Sequence, residues 1–341
     1  MKRKFSVVFF KHLFIVFHLF VTGISSQTIP TNDVEAINAK LDLEKSSRDI
    51  INALRYGKFS LADIEFKKIQ NQKYEIFAEY DYLNGSILYT RMNWPEAKES
   101  LLRALKKEPN HESASFLIGM IYAQEDNWNE AKENWIETNQ ISPYNPFYHY
   151  NLGLAYFILK DFKNAILSLN RSLEYKPNYF EARLILAKTY LELNEIEKAE
   201  IELNLILEVD KKNIAAQNLF GRVVYLKEKD PRKALSYLKN ERILGWREKK
   251  IYARCYFEIR KWRESENLFR SIAYSPFADE YDHSFYLNLL LNLGYDERAN
   301  EFYHFTQKQA RGETKIAEAY RMLLTSREGK ELLYHYFKLR Y

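Results

Sequence analysis

Between Ala78 and Tyr179 the chain carries one pattern three times in succession, without a gap, at a spacing of 34 residues. Gly85, Gly119 and Gly153 fall in register, Ala97, Ala131 and Ala165 follow twelve residues later, and Pro109, Pro143 and Pro177 follow twelve after those. Large apolar residues recur between these marks: Leu88, Tyr122 and Tyr156 after the glycines, and Leu101, Trp135 and Leu169 after the alanines. A unit of this length at a fixed period cannot bury its apolar face alone and must stack on its neighbours. The small residues let two helix axes approach, and the large ones fill the space against the next pair. Proline lacks an N–H and cannot continue a helix, so it punctuates the unit.

This signature of small residue, tyrosine, alanine, aromatic and proline resembles the tetratricopeptide repeat family. The resemblance implies an all-α, right-handed superhelical solenoid of antiparallel helix pairs. Outside the three strong units the register persists with decay. A degenerate unit over Leu43–Ile76 has Ile50 in the glycine place, with Ala62 and Phe66 following. The aromatics Phe59, Trp94, Trp128 and Phe162, three residues before each alanine, are expected to wedge against the neighbouring turn. Ala187, Tyr190 and Ala199 mark a unit over Phe180–Asn213, in which Lys211 replaces the proline. Gly221 opens the next, but Ala234 arrives one residue late, which predicts an inter-helix turn one residue longer. Tyr256, Trp262, Ser265, Phe269 and Ile272 identify a unit over Trp246–Asp279, and Ala299 and Tyr303 one over Glu280–Gly312. An array of about seven or eight pairs is therefore expected over 34–312. The stripe of Tyr320, Leu323, Leu324, Leu332, Leu333, Tyr336 and Phe337 predicts C-terminal capping helices over 313–341.

The first 26 residues differ from the rest. Lys2, Arg3, Lys4 and Lys11 come with no acid, an apolar run over Leu13–Thr22 is broken only by His18, and Gly23-Ile24-Ser25-Ser26 is small before Gln27. That order is a bacterial-style secretory signal peptide, followed by a linker over 27–33, and it predicts export to the periplasm or cell envelope. The other reading, an uncleaved anchor over Phe5–Ile24, places Lys11, His12 and His18 in hydrocarbon at a cost. The sole cysteine, Cys255, excludes a lipid anchor at the cleavage site and is expected to be a buried structural thiol.

The whole chain has 51 Lys+Arg against 46 Asp+Glu, and removing the segment leaves 47 against 46. No case for nucleic acid survives on that balance. Charge is segregated locally, with seven acids and one base over Glu192–Asp210, then thirteen bases and five acids over Lys227–Arg263.

In tetratricopeptide arrays, certain places of each first helix line the concave side, where partners bind. By that resemblance Tyr82, Tyr89, Phe116, Met120, Phe147, Tyr150, Asn151, Leu154 and Phe157 form an apolar, aromatic-rich groove, unless some of them, Phe147 and Phe157 foremost, pack against the next helix pair. Lys188, Arg222, Arg247, Lys250 and Arg254 continue it as a basic stripe suited to an acidic peptide, unless those bases are merely a solvated face. Family members that clamp a chaperone C-terminal carboxylate use Lys and Asn places that here hold Phe116 and Met120, so that clamp is absent although Asn151 fits its middle position.

Chemistry is not indicated. There is no His-Glu-x-x-His, phosphate-binding glycine loop, Gly-x-Ser-x-Gly or cysteine pair, and the histidines lack metal-ligand spacing. No cofactor is implied. The sequence therefore reads as a non-catalytic protein-protein interaction scaffold with a protein or peptide partner, touching membrane only if the N-terminal segment is retained. The alternatives are a glycan- or peptidoglycan-binding module, with tyrosines stacking on sugars, and a membrane-tethered scaffold.

Overall fold

The computed structural model describes residues 34–241, 244–275 and 278–309. The expected signal segment, the linker and the C-terminal capping helices lie outside the described residues. Those that are described form 17 helices and no strand, an all-α fold of the tetratricopeptide solenoid type.

The chain divides into two compact units, residues 1–189 and 190–341, and the boundary falls within one helix. In the first unit α1 (Val34–Arg55) pairs with α2 (Phe59–Lys68), and a one-turn α3 (Gln72–Glu75) follows. Then come α4 (Ala78–Thr90) with α5 (Trp94–Lys107), α6 (Glu112–Gln124) with α7 (Trp128–Ile141), α8 (Pro146–Ile158) with α9 (Phe162–Tyr175), and most of α10 (Phe180–Glu192). The second unit holds the end of α10, α11 (Ile196–Val209), α12 (Ile214–Glu228) with α13 (Pro231–Ser236), α14 (Trp246–Glu258) with α15 (Trp262–Ala273), and α16 (Glu280–Asn292) with α17 (Asp296–Gln309).

The 34-residue marks do what their chemistry requires. Leu101, Trp135 and Leu169 are completely buried, and each lies against the glycine of its own pair. A Cβ on Gly85 or Gly153 would sit 2.7 Å from the Cγ of Leu101 or Leu169, and one on Gly119 would sit 2.7 Å from Cδ1 of Trp135. Glycine is therefore the counterpart of a large residue across the pair. In the later unit Ser265 fills the alanine place, fully buried because its hydroxyl donates to the Ala253 carbonyl at 2.7 Å. The wedge aromatics behave unequally: Trp128 is buried and its indole donates to Asp126 at 2.8 Å, whereas Phe59 at the start of the array is exposed.

Most turns inside a pair use three residues, and the central one is left-handed: Met92, Asp126, Lys160, Asn194 and Arg260 with φ of 60–63°, and Gly57 and Gly294 with 67° and 72°. The late Ala234 has a different origin from the expected longer turn. There α12 runs to 15 residues where its counterparts have 13, and the turn shrinks to Lys229-Asp230. Lys229 is itself the left-handed cap, and the Asp230 side chain accepts from the N–H groups of Arg232 and Lys233 around Pro231 at the first helical position. Nor is proline essential for termination. α11 stops at the same register with Lys211 in that place, because Asp210 accepts from the Lys212 N–H at 3.0 Å in a local turn.

Candidate functional site: the first-helix faces

The expected aromatic groove of the first unit is largely closed. Tyr82, Tyr89, Met120, Tyr150, Asn151 and Leu154 are at most 6% exposed, and Phe147 is equally buried. Each first helix leans on the next pair. The Tyr82 ring lies 4.9 Å from that of His111, Phe147 lies 5.2 Å from Tyr179, and Tyr150 lies 5.0 Å from the same Tyr179. Burial pushes the phenols of Tyr82, Tyr89, Tyr150 and Tyr179 well above their ordinary range. Asn151 donates to the Phe147 carbonyl at 2.7 Å, one turn back on its own helix. These residues therefore form the floor of the face, with no open surface of their own. Phe116 and Phe157 remain half-buried, the first 4.8 Å from Tyr148 and the second 6.1 Å from Phe162, and Leu184 and Lys188 are half-buried on α10.

The basic stripe of the second unit is also different from the expectation of open cations. Arg222 is buried and bridges two acids, Glu248 at 3.2 Å and Glu192 at 3.6 Å. Arg247 pairs with that same Glu192 and lies 4.5 Å above the Trp246 ring. Lys250 contacts Asp282 at 2.6 Å and Asp279 at 3.8 Å, and Arg254 contacts Glu258 at 3.4 Å. Burial raises the Asp282 carboxyl, partly offset by the Lys250 hydrogen bond. Apart from the Arg254–Glu258 pair within α14, the stripe is a ladder of ion pairs between first helices. Most of its acids come from other repeats, so a count of charge along the sequence overstates the positive surface.

Two polar nodes carry no motif and escape sequence reasoning. In the first unit Glu79 accepts the Ser47 hydroxyl and faces His111 Nε2 at 3.4 Å, while His111 Nδ1 accepts the Ala114 N–H at 3.2 Å as a helix cap. In the second, the buried Glu266 accepts two 2.7 Å bonds from Arg270 and 2.8 Å bonds from Tyr286 and Arg298. Burial alone would raise this carboxyl, but the three donors outweigh it and hold the group below the usual range. Cys255 is fully buried and its thiol is pushed up to about 12, chiefly by burial and then by Glu258, consistent with a structural role. Among the described residues no cluster of His, Cys, Asp and Glu could hold a metal, and no helix is long and apolar enough to cross a membrane.

Two models of the tetratricopeptide repeat match the chain, over residues 82–134 and 156–222. No curated protein matches it in sequence. Among solved structures, the pilF protein of Pseudomonas aeruginosa is similar at 19% identity and a TM-score of 0.54, covering 66% of this chain and 99% of its own. A tetratricopeptide repeat protein of Parabacteroides merdae is similar at 19% identity and a TM-score of 0.53, covering 71% of this chain and 96% of its own. At this identity such likenesses speak for the fold. The repeat models, the 34-residue marks and the glycine-to-large-residue packing agree, and the chain carries tetratricopeptide repeats over residues 82–134 and 156–222.

Proposed function

We propose that this chain is a scaffold of the bacterial cell envelope that holds a segment of a protein partner against the first helices of its first unit. Tetratricopeptide repeat proteins bind protein or peptide partners and are generally non-catalytic. The observation that supports the site is the pair Phe116 and Phe157, half-buried rings on first helices whose Met120, Tyr150 and Leu154 are buried. Rings held by packing lose little conformational freedom on binding, and an extended segment or amphipathic helix with apolar anchors suits them. The glycan alternative finds no support in the groove, because buried Tyr82, Tyr89 and Tyr150 have no ring face to offer a sugar; the exposed Tyr56 and Tyr144 lie off these places. Export rests on the basic, apolar and small-residue order of Met1–Ser26.

The test is retention of envelope proteins by the chain from Gln27 to Tyr341, beside the same chain carrying Phe116→Asp and Phe157→Asp. A discrete protein held by the first and released by the second supports the reading. Equal retention by both, or retained saccharide in place of protein, overturns it. A reporter enzyme active only outside the cytoplasm, fused after Asp33, tests export on its own.

A further inference from the structure

The bases of the ion-pair ladder are occupied, but the excess positive charge of Lys227–Arg263 has another location. Arg232, Arg260, Lys261 and Arg263 have no carboxylate within ion-pair distance among the described residues, whereas Lys227, Lys233, Arg222, Arg247, Lys250 and Arg254 all do. Arg232 is the second residue of α13, just after the Lys229-Asp230 turn and Pro231, and Arg260 and Lys261 belong to the equivalent turn of the following pair. Lys229, Lys239 and Lys249 also lack such a carboxylate, but Arg232 near the start of α13 and Arg260 and Lys261 in the turn of the next pair stand away from the first-helix places that the family pattern singles out.

Between them is a cleft of about 510 Å³, lined by Arg232, Leu235, Ser236, Tyr256, Ile259 and Lys261. It opens where α13 stops after six residues, against 14 in α11. The cause of that stop is local. Asn218 of α12, itself buried, accepts the Lys239 N–H at 3.0 Å and donates to the Asn240 carbonyl at 3.4 Å, which holds the chain off a helical path. The Ser236 hydroxyl turns back to the Lys233 carbonyl at 2.7 Å. Apolar walls from Leu235, Ile259 and the Tyr256 ring thus stand beside two cations, and the volume is within the about 300–1,000 Å³ of ordinary ligand sites.

We propose that this cleft is a second docking site, which takes a segment of a partner protein bearing Asp or Glu beside a leucine or phenylalanine. The cations supply charge complementarity, and the apolar walls distinguish such a segment from a polyanion that offers charge alone. The site rests on the scaffold reading only for the class of its ligand; its residues and its helices are separate from Phe116 and Phe157.

The experiment follows the anisotropy of a fluorescein-labelled peptide, Gly-Glu-Glu-Leu-Phe-Glu-Glu-Gly, titrated with the full chain from Gln27 at low salt. Three comparisons accompany it: a twin peptide with lysine for glutamate, linear polyphosphate as competitor, and the chain carrying Arg232→Glu with Lys261→Glu. Saturable binding of the acidic peptide but not its twin is expected. The double variant should weaken it at least about tenfold, the factor expected when two exposed ion pairs become repulsions. Tyr256→Ala should weaken it several-fold, and polyphosphate should displace it poorly. These side chains lie at the rim of an open cleft, and unchanged thermal melting confirms that the variants fold. The proposal is overturned if the acidic peptide does not bind, if the double variant binds it as well as wild type, or if polyphosphate displaces it while Tyr256→Ala has no effect. The chain with Phe116→Asp and Phe157→Asp separates the two sites: it should bind this peptide normally, and failure there would place the peptide on the first-helix face and overturn the cleft.

Discussion

Gly221 lies where a side chain would collide with the neighbouring helices, and Gly221→Ala measures what that closeness contributes. A Cβ there would lie 2.8 Å from the Ala234 carbonyl oxygen and 2.9 Å from Cζ of Tyr252, with the Tyr252 hydroxyl closer still. Non-bonded carbons settle at about 3.5–4.0 Å, so something must move. Tyr252 has little room to do so: it is fully buried and its hydroxyl donates to the Asn218 carbonyl at 2.8 Å. Overpacking of this kind costs about 2 kcal/mol, and loss of the tyrosine hydrogen bond about 1 more. Replacing glycine by alanine in a helix returns about 1 kcal/mol, so the net destabilisation is about 2 kcal/mol. Urea unfolding followed by circular dichroism should show it as a lower midpoint with an unchanged slope. Tyr252→Phe removes the atom nearest the new methyl, so the double variant should lose about 1 kcal/mol less than the sum of the singles. A Gly221→Ala protein as stable as wild type, or singles that simply add, would refute this packing account.

Three further outcomes follow from the geometry. Lys160→Gly should raise stability by about 1 kcal/mol, because a non-glycine residue at φ 63° carries a left-handed penalty, while Gly294→Ala at φ 72° should lower it by a similar amount; thermal melting reads both. The lowered carboxyl of Glu266 contributes stability that is present above its unfolded value of about 4.3 and is lost as pH falls through its lower folded value, so Glu266→Gln should flatten the acid side of the stability–pH curve. Arg222→Met should destabilise by about 3 kcal/mol, because it leaves Glu248 without its buried partner and Glu192 with Arg247 alone, whereas Arg254→Ala on the more open Glu258 should cost under about 1 kcal/mol; equal effects in urea unfolding would contradict the burial difference.

How much of this was legible in sequence depends on the range of the interaction. Gly119 and Trp135 are readable because the steric demand they share is repeated at Gly85 with Leu101 and at Gly153 with Leu169. The helix ends were legible in position but not in cause: Pro109 and Pro143 mark termini, yet Asp210 makes an equivalent stop without proline. The late Ala234 fixed the presence of an extra residue, but only the backbone showed that α12 absorbs it and that the turn contracts. The exposure of Tyr82 and Tyr150 is not legible in sequence for a different reason. A place on the first helix determines the direction of a side chain, while His111 and Tyr179, from the next pair, determine whether water reaches it.

Charge shows the same limit most clearly. A window over Lys227–Arg263 records thirteen bases and five acids, but it cannot show that Lys227 meets Glu200, Arg247 meets Glu192 and Lys250 meets Asp282. Stacking brings together residues 26 to 32 positions apart, close to the repeat length, so neutralisation operates at the period of the array. What remains positive is whatever lacks a partner one period away. By that criterion Arg232 and Lys261, at turns that stand beside a truncated second helix, are more informative about a ligand than the better-placed Arg222. A buried, doubly paired arginine at a groove position contributes to the joint between repeats, and a partner would have to break that joint to use it.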